Sequence, residues 1–75
     1  MKTQKQIIEK INAIYVKYAK AETRAKKINE LGEKINWNLE KSEVGCSASV
    51  NDFGVHAFIF SNETGNTIEQ IQPQF

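Results

Sequence analysis

One cysteine, one histidine and one proline stand among the 75 residues, and Asp52 is the only aspartate. A lone cysteine excludes a disulfide within the chain, and one cysteine with one histidine cannot complete a zinc shell. No apolar run approaches the ~20 residues that span a bilayer, and the opening MKTQKQIIEK lacks the apolar stretch of a secretory signal. The expected compartment is therefore the cytoplasm, with no membrane partner. No G-x-G-x-x-G, Walker loop, H-E-x-x-H or C-x-x-C pattern occurs, so neither a cofactor nor a metal is expected. A domain of this size has a marginal core, worth ~3 to 5 kcal/mol net, and with disulfides excluded the remaining support is oligomerisation.

Charge is unevenly placed. Residues 1–34 hold nine of the ten Lys and Arg against four Glu, and residues 35–75 hold one Lys against five acids, so the halves carry about +5 and −4 behind a net charge of +1. Lys, Ile and Asn are abundant and Arg and Pro scarce, a composition expected of an AT-rich bacterial or phage genome.

From Thr3 to Leu31 there is neither Gly nor Pro, and Ile7, Ile11, Ile14, Tyr18, Ala21, Ala25 and Ile28 recur at spacings of four and three. This pattern predicts one long N-terminal helix over 3–31, with Thr3 and Gln6 as a capping box and Gly32 as its C-terminal cap. The period then drops to two. Ile35, Trp37 and Leu39 alternate with Asn36, Asn38 and Glu40, and Val44, Cys46, Ala48 and Val50 alternate with Gly45, Ser47, Ser49 and Asn51, so two half-buried strands are expected. Asn51-Asp52-Phe53-Gly54 reads as a three-residue hairpin loop closed by a glycine bulge, leading to a third strand over Val55 to Ser61. In the tail, Ile68 and Ile71 lie three apart, which suits a short turn of helix or an extra edge strand. The fold class is α+β in one domain, 1–75: a long helix on a three-stranded antiparallel meander (α-β-β-β), with helix 3–31, sheet 35–61 and tail 62–75.

Such a loop pairs Asn51 with Val55 and sets Cys46 opposite Phe60 and Ala48 opposite Phe58. His56 then lies ~13 Å along the sheet from Cys46, too far for a thiolate-imidazole pair. A register one residue off would bring Ser49 beside His56, the one nucleophile and base worth testing, but with no orienting carboxylate. No catalytic residue is assigned.

Two features point to binding. A helix of ~42 Å overhangs strands of ~23 Å, so its distal seam of Ala21, Ala25 and Ile28 is a candidate interface for a second copy. Val55, Ala57 and Ile59 form an apolar patch on the other face of the expected sheet, either covered by Ile68, Ile71 and Phe75 or offered to a partner. Lys10, Lys17, Lys20, Arg24, Lys27 and Lys34 fall in one stripe of the helix and are candidate phosphate contacts. The expected function is a non-catalytic protein-interaction module, homodimeric, serving as a small regulator, adaptor or inhibitor of a larger protein. The alternative is nucleic-acid binding through the basic stripe.

Overall fold

The apolar repeat from Ile7 to Ile28 is divided between two helices, α1 (Gln4–Lys17) and α2 (Ala21–Ile35), in the computed structural model, which describes residues 1–73. Three strands follow: β1 (Val44–Asn51), β2 (Gly54–Ser61) and β3 (Thr67–Ile71). The order is α-α-β-β-β, which corrects the expected single helix over 3–31 followed by a meander. The start of α1 is as its sequence indicates. Thr3 Oγ accepts from the Gln6 N–H, and Gln6 Oε1 accepts from the Thr3 N–H at 2.9 Å, closing a capping box. Glu43 Oε1 accepts from the Gln4 N–H at 2.7 Å, setting a carboxylate at the positive end of the helix.

The helix breaks at Tyr18 and Lys20, both extended (φ −116°, ψ 138° and φ −79°, ψ 134°), although neither Gly nor Pro is present there. The size of the sheet supplies the reason. An unbroken helix over 3–31 is ~43 Å long, and a strand of eight residues reaches only ~27 Å. More than a third of the apolar stripe would lie in water. Folding back instead places Ile7 and Ile11 of α1 and Ile28 and Ile35 of α2 over one sheet, each buried. Arg24 secures the corner: Nε donates to Tyr18 O at 2.6 Å, Nη2 to Tyr15 O at 2.7 Å, and the guanidinium lies 5.4 Å from the Tyr15 ring centre. A cation there satisfies carbonyls that the end of α1 leaves unpaired.

Ile35 ends α2, so no strand runs over 35–39. Trp37 takes a positive φ of 63° within the turns that follow, and Trp37 and Leu39 are 66% and 48% exposed, so their alternation marks no buried face. Gly32 lies inside α2 and does not cap it. A Cβ there would stand 2.3 Å from the Cys46 carbonyl oxygen, so glycine is what lets α2 approach β1 this closely. The tail forms a strand, with β3 antiparallel to β2 through Ala57↔Ile71 and Ile59↔Glu69 in a sheet ordered β1-β2-β3.

The hairpin loop holds two residues, Asp52 and Phe53, with Asn51 paired to Gly54. Cys46 therefore faces Ile59, Ala48 faces Ala57 and Val50 faces Val55, where the three-residue loop would have set Cys46 against Phe60. A slip of one residue exchanges the two faces of β2. Val55, Ala57 and Ile59 turn to the helices and are buried, at 4%, 0% and 0% exposure, which corrects their reading as an outer patch. The close helix layer favours this arrangement. Cys46 Sγ donates to Ile28 O at 3.5 Å, and the bulk of the core comes from isoleucines on the helices, so small and β-branched residues fit beneath them where phenylalanines would not.

Candidate functional site

The outer face of the sheet carries the aromatic residues. On β2, His56, Phe58 and Phe60 alternate outward beside Ser49, Ser47 and Gly45 of β1. Trp37 stacks on Phe60 with ring centroids 5.0 Å apart and planes tilted by 36°. The positive φ of Trp37 aims it there. Its backbone is held by Asn62, whose Oδ1 accepts from the Trp37 N–H at 2.8 Å. No Asp, Glu, Lys or Arg occupies an outward position of β1 or β2. Ile71, one of the residues expected to cover a second face, is buried on the helix side, where its carbonyl accepts from the Tyr15 hydroxyl at 2.8 Å; Ile68 is 47% exposed. Phe75 lies outside the described residues.

The edge of β1 is closed by side chains. Asn36 accepts from the Cys46 N–H at 2.8 Å and donates to its carbonyl at 3.0 Å; Asn29 repeats this pair at Ala48, at 2.9 and 3.0 Å. Ser42 Oγ accepts from the Val44 N–H and donates to Val44 O. Three alternate residues of the strand thus have their edge groups satisfied by carboxamides and a hydroxyl, which leaves little for an added strand to pair with. Sequence patterning missed this role. The available signal was two asparagines seven apart, Asn29 inside α2 and Asn36 at its C-terminal cap, where Asn is a poor helix former and its carboxamide can bond backbone.

The lysines expected to contact phosphate are redistributed by the helix break. Arg24 is committed to the α1 carbonyls. Lys20 sits exposed at the connection, as the N-cap residue of α2. Lys10 and Lys17 on α1 and Lys27 and Lys34 on α2 line the helical face away from the sheet. Lys17 and Lys27 approach the Tyr18 ring at 5.4 and 5.6 Å. Lys10 and Lys34 lie near Lys2, whose pKa is held below its ordinary value first by the Lys10 charge and then by desolvation, a hydrogen bond with Lys10 and the Lys34 charge. Ala25 and Ile28, expected to await a second copy, are buried in the core, and Ala21 packs at its margin. Their cover comes from within the molecule, where β1 packs against α2 and Cys46 reaches the Ile28 carbonyl.

No protein-family model matches the chain, and neither does any curated protein or solved structure. The reading of the surfaces rests on their geometry.

For catalysis, the register does place Ser49 opposite His56. His56 is otherwise engaged. Gln70 and Gln72 amides lie 3.0 and 3.1 Å from Nδ1, and Asn51 Oδ1 lies 3.2 Å from Nε2. Amide donors at Nδ1 assign the proton to Nε2, which then donates to Asn51. Among the described residues neither Ser49 nor Cys46 is hydrogen-bonded to His56, and no three His, Cys, Asp or Glu side chains are grouped to hold a metal. Burial pushes the Cys46 thiol up from its ordinary 9.0 to about 11. A thiol so placed is not a ready nucleophile. In the folded protein at pH 8, Cys46 is expected to resist an aromatic disulfide reagent and to react at once in urea; fast labelling without denaturant would contradict its burial. Because the folded pKa is raised, the stabilising contribution is intact below pH 9 and is lost as pH climbs through about 11, so the urea midpoint should fall across that window.

Proposed function

We propose that the chain is a non-catalytic protein-interaction module that works through the outer face of its sheet, with a second copy as its first occupant. The observation that supports this reading is the row of Trp37, Phe60 and Phe58 on a face with no Asp, Glu, Lys or Arg at the outward positions of β1 and β2. Trp37 is exposed and Phe58 and Phe60 are half-buried beside it, and aromatic surface of this kind is typical of the buried centre of interfaces, where charged residues are depleted. Two such faces can meet without like-charge repulsion, and sheets stack face to face at ~10 Å. Phe53, 90% exposed at the hairpin tip, extends the apolar surface beyond the strands. The footprint is small: ~27 Å of strand across three strands ~4.8 Å apart is well under the ~800 Å² per partner of a standard interface. Association is therefore weak, and the role of a small regulator, adaptor or inhibitor follows from a surface that exchanges partners readily.

Sedimentation equilibrium from low micromolar to millimolar protein tests this reading. Self-association is expected in the upper part of that range, accompanied by a blue shift of Trp37 emission, and Trp37→Ser with Phe58→Ser should abolish it while far-UV circular dichroism is unchanged. A chain that stays monomeric at millimolar concentration, with water-exposed Trp37 emission throughout, would remove the second copy as occupant.

A further inference from the structure

The face of the molecule opposite the sheet has a different character. The chain turns back at Tyr18, so α1 and α2 lie side by side and antiparallel, with a groove of about 360 Å³ between them. Lys17 flanks it on α1 and Lys27 and Lys34 on α2, while Lys10 lines the adjoining hollow that shares Leu31 and Lys34 with it; the two lysines of each helix are seven residues and therefore two turns apart, or ~10.5 Å. Lys17 meets Lys27 over the Tyr18 ring, and Lys10 meets Lys34 beside Lys2, so the four ammonium groups mark the corners of a frame. Half-buried Ile14 and Leu31 line the groove between them. Among the described residues the one ion pair is Lys27 with Glu30, at 3.5 Å, so the frame keeps a net charge of about +3.

We propose that this groove docks an acidic amphipathic helix of a partner protein. An apolar stripe on the incoming helix would lie on Ile14 and Leu31, and acidic residues seven apart on both flanks of that stripe would meet Lys10 and Lys17 on one side and Lys27 and Lys34 on the other. This is helix-in-groove recognition with flanking charges that set partner choice, the division of labour seen between core and flanking positions of a coiled coil. Nucleic acid fits less well on two counts. A phosphodiester chain carries a charge at every nucleotide and would run against Glu30, where a helix can present a neutral or basic residue. Its sugar-phosphate backbone also leaves Ile14 and Leu31 without apolar contact, and Arg24, the one arginine of the stripe, is spent on Tyr15 and Tyr18. A second copy is disfavoured by sign, because its own grooved helices carry lysine at the matching positions and five of its acids, Glu40, Glu43, Asp52, Glu63 and Glu69, lie outside the helices. The groove and the sheet face are on opposite sides, so the failure of either proposal leaves the other standing.

Fluorescence anisotropy with a labelled three-heptad peptide tests the proposal. The peptide has Leu at a and d and Glu at e and g; its comparison probes are the same peptide with Lys for Glu, the same with Ser for Leu, and a single-stranded and a duplex oligonucleotide. Only the acidic Leu peptide is expected to bind, weakening with added salt. Lys17→Glu with Lys27→Glu should reduce its affinity by about tenfold or more and transfer binding to the Lys peptide, a rescue that a misfolded variant could not give. Four results would overturn the proposal: no binding of the acidic peptide at low salt, binding indifferent to the lysine reversals, equal binding of the Ser peptide, or tighter binding of either oligonucleotide.

Discussion

Replacing Asn62 with alanine is expected to remove about 3 kcal/mol or more of unfolding free energy, enough to leave much of the protein unfolded. The side chain is 5% exposed, and its carboxamide makes three hydrogen bonds, all to backbone: Nδ2 donates to Ile35 O and Ser42 O, each at 2.9 Å, and Oδ1 accepts from the Trp37 N–H at 2.8 Å. These groups belong to the end of α2, the start of the sheet and the turn that aims Trp37, so one residue ties three segments. Alanine would leave the Trp37 N–H and the Ser42 carbonyl without a partner in a buried site, while Ile35 O keeps the Asn38 N–H at 3.2 Å; each unpaired group costs about 1 to 3 kcal/mol, against a total stability on the order of 5 kcal/mol for a domain of this length. Asn62→Asp keeps the size and the acceptor but faces two carbonyl oxygens with a carboxylate, and is expected to be at least as damaging. Urea unfolding followed by circular dichroism measures both. A loss below about 1 kcal/mol for the alanine variant would mean that water or rearrangement satisfies these groups, and the hub would have to be given up.

Gly32→Ala is expected to destabilise the protein by about 2 kcal/mol, although helix propensity alone predicts a gain of about 1 kcal/mol from the same change. The opposing term is steric. The new methyl would fall 2.3 Å from Cys46 O and 2.9 Å from Asn36 Nδ2, and that nitrogen already donates to the same carbonyl at 3.0 Å. A backbone oxygen in a strand cannot step aside, so α2 must withdraw from β1, loosening the Asn36 and Asn29 pairs that close the sheet edge. The measurement separates two accounts of the residue. A glycine kept for close packing predicts lower stability and new aggregation as the β1 edge opens, whereas a glycine of no consequence predicts the ordinary helix gain. A stabilised Gly32→Ala would refute the tight helix-strand contact.

The Asn51 to Gly54 turn shows how far local sequence reaches. Its residues locate the hairpin, and the period-two runs on either side locate β1 and β2, because turn chemistry and alternation are properties of a few adjacent residues. Loop length is not such a property here. Loops of two and three residues both suit these four positions, and they differ by one step of register, which decides whether Phe58 and Phe60 or Val55, Ala57 and Ile59 face the helices. The candidate surface was hidden for that reason: the aromatic row reads from sequence as core.

The helices follow the same division. Seven apolar or small positions at spacings of four and three, a Thr3 to Gln6 box and a length free of Gly and Pro are local and made the helical state legible. The break at Tyr18 to Lys20 has no local cause. It depends on the length of a sheet formed by residues far along the chain, on Arg24 reaching back to Tyr15 and Tyr18, and on a glycine that reads as a cap but serves a contact with Cys46. Composition, helical periodicity, the hairpin site and the absence of metal-ligand spacing were determined by the sequence itself. The helix count, the strand identity of the tail, the inward face of β2 and the pairing of lysines across a groove were decided only in the tertiary structure, because each depends on which distant surfaces have the matching length and volume.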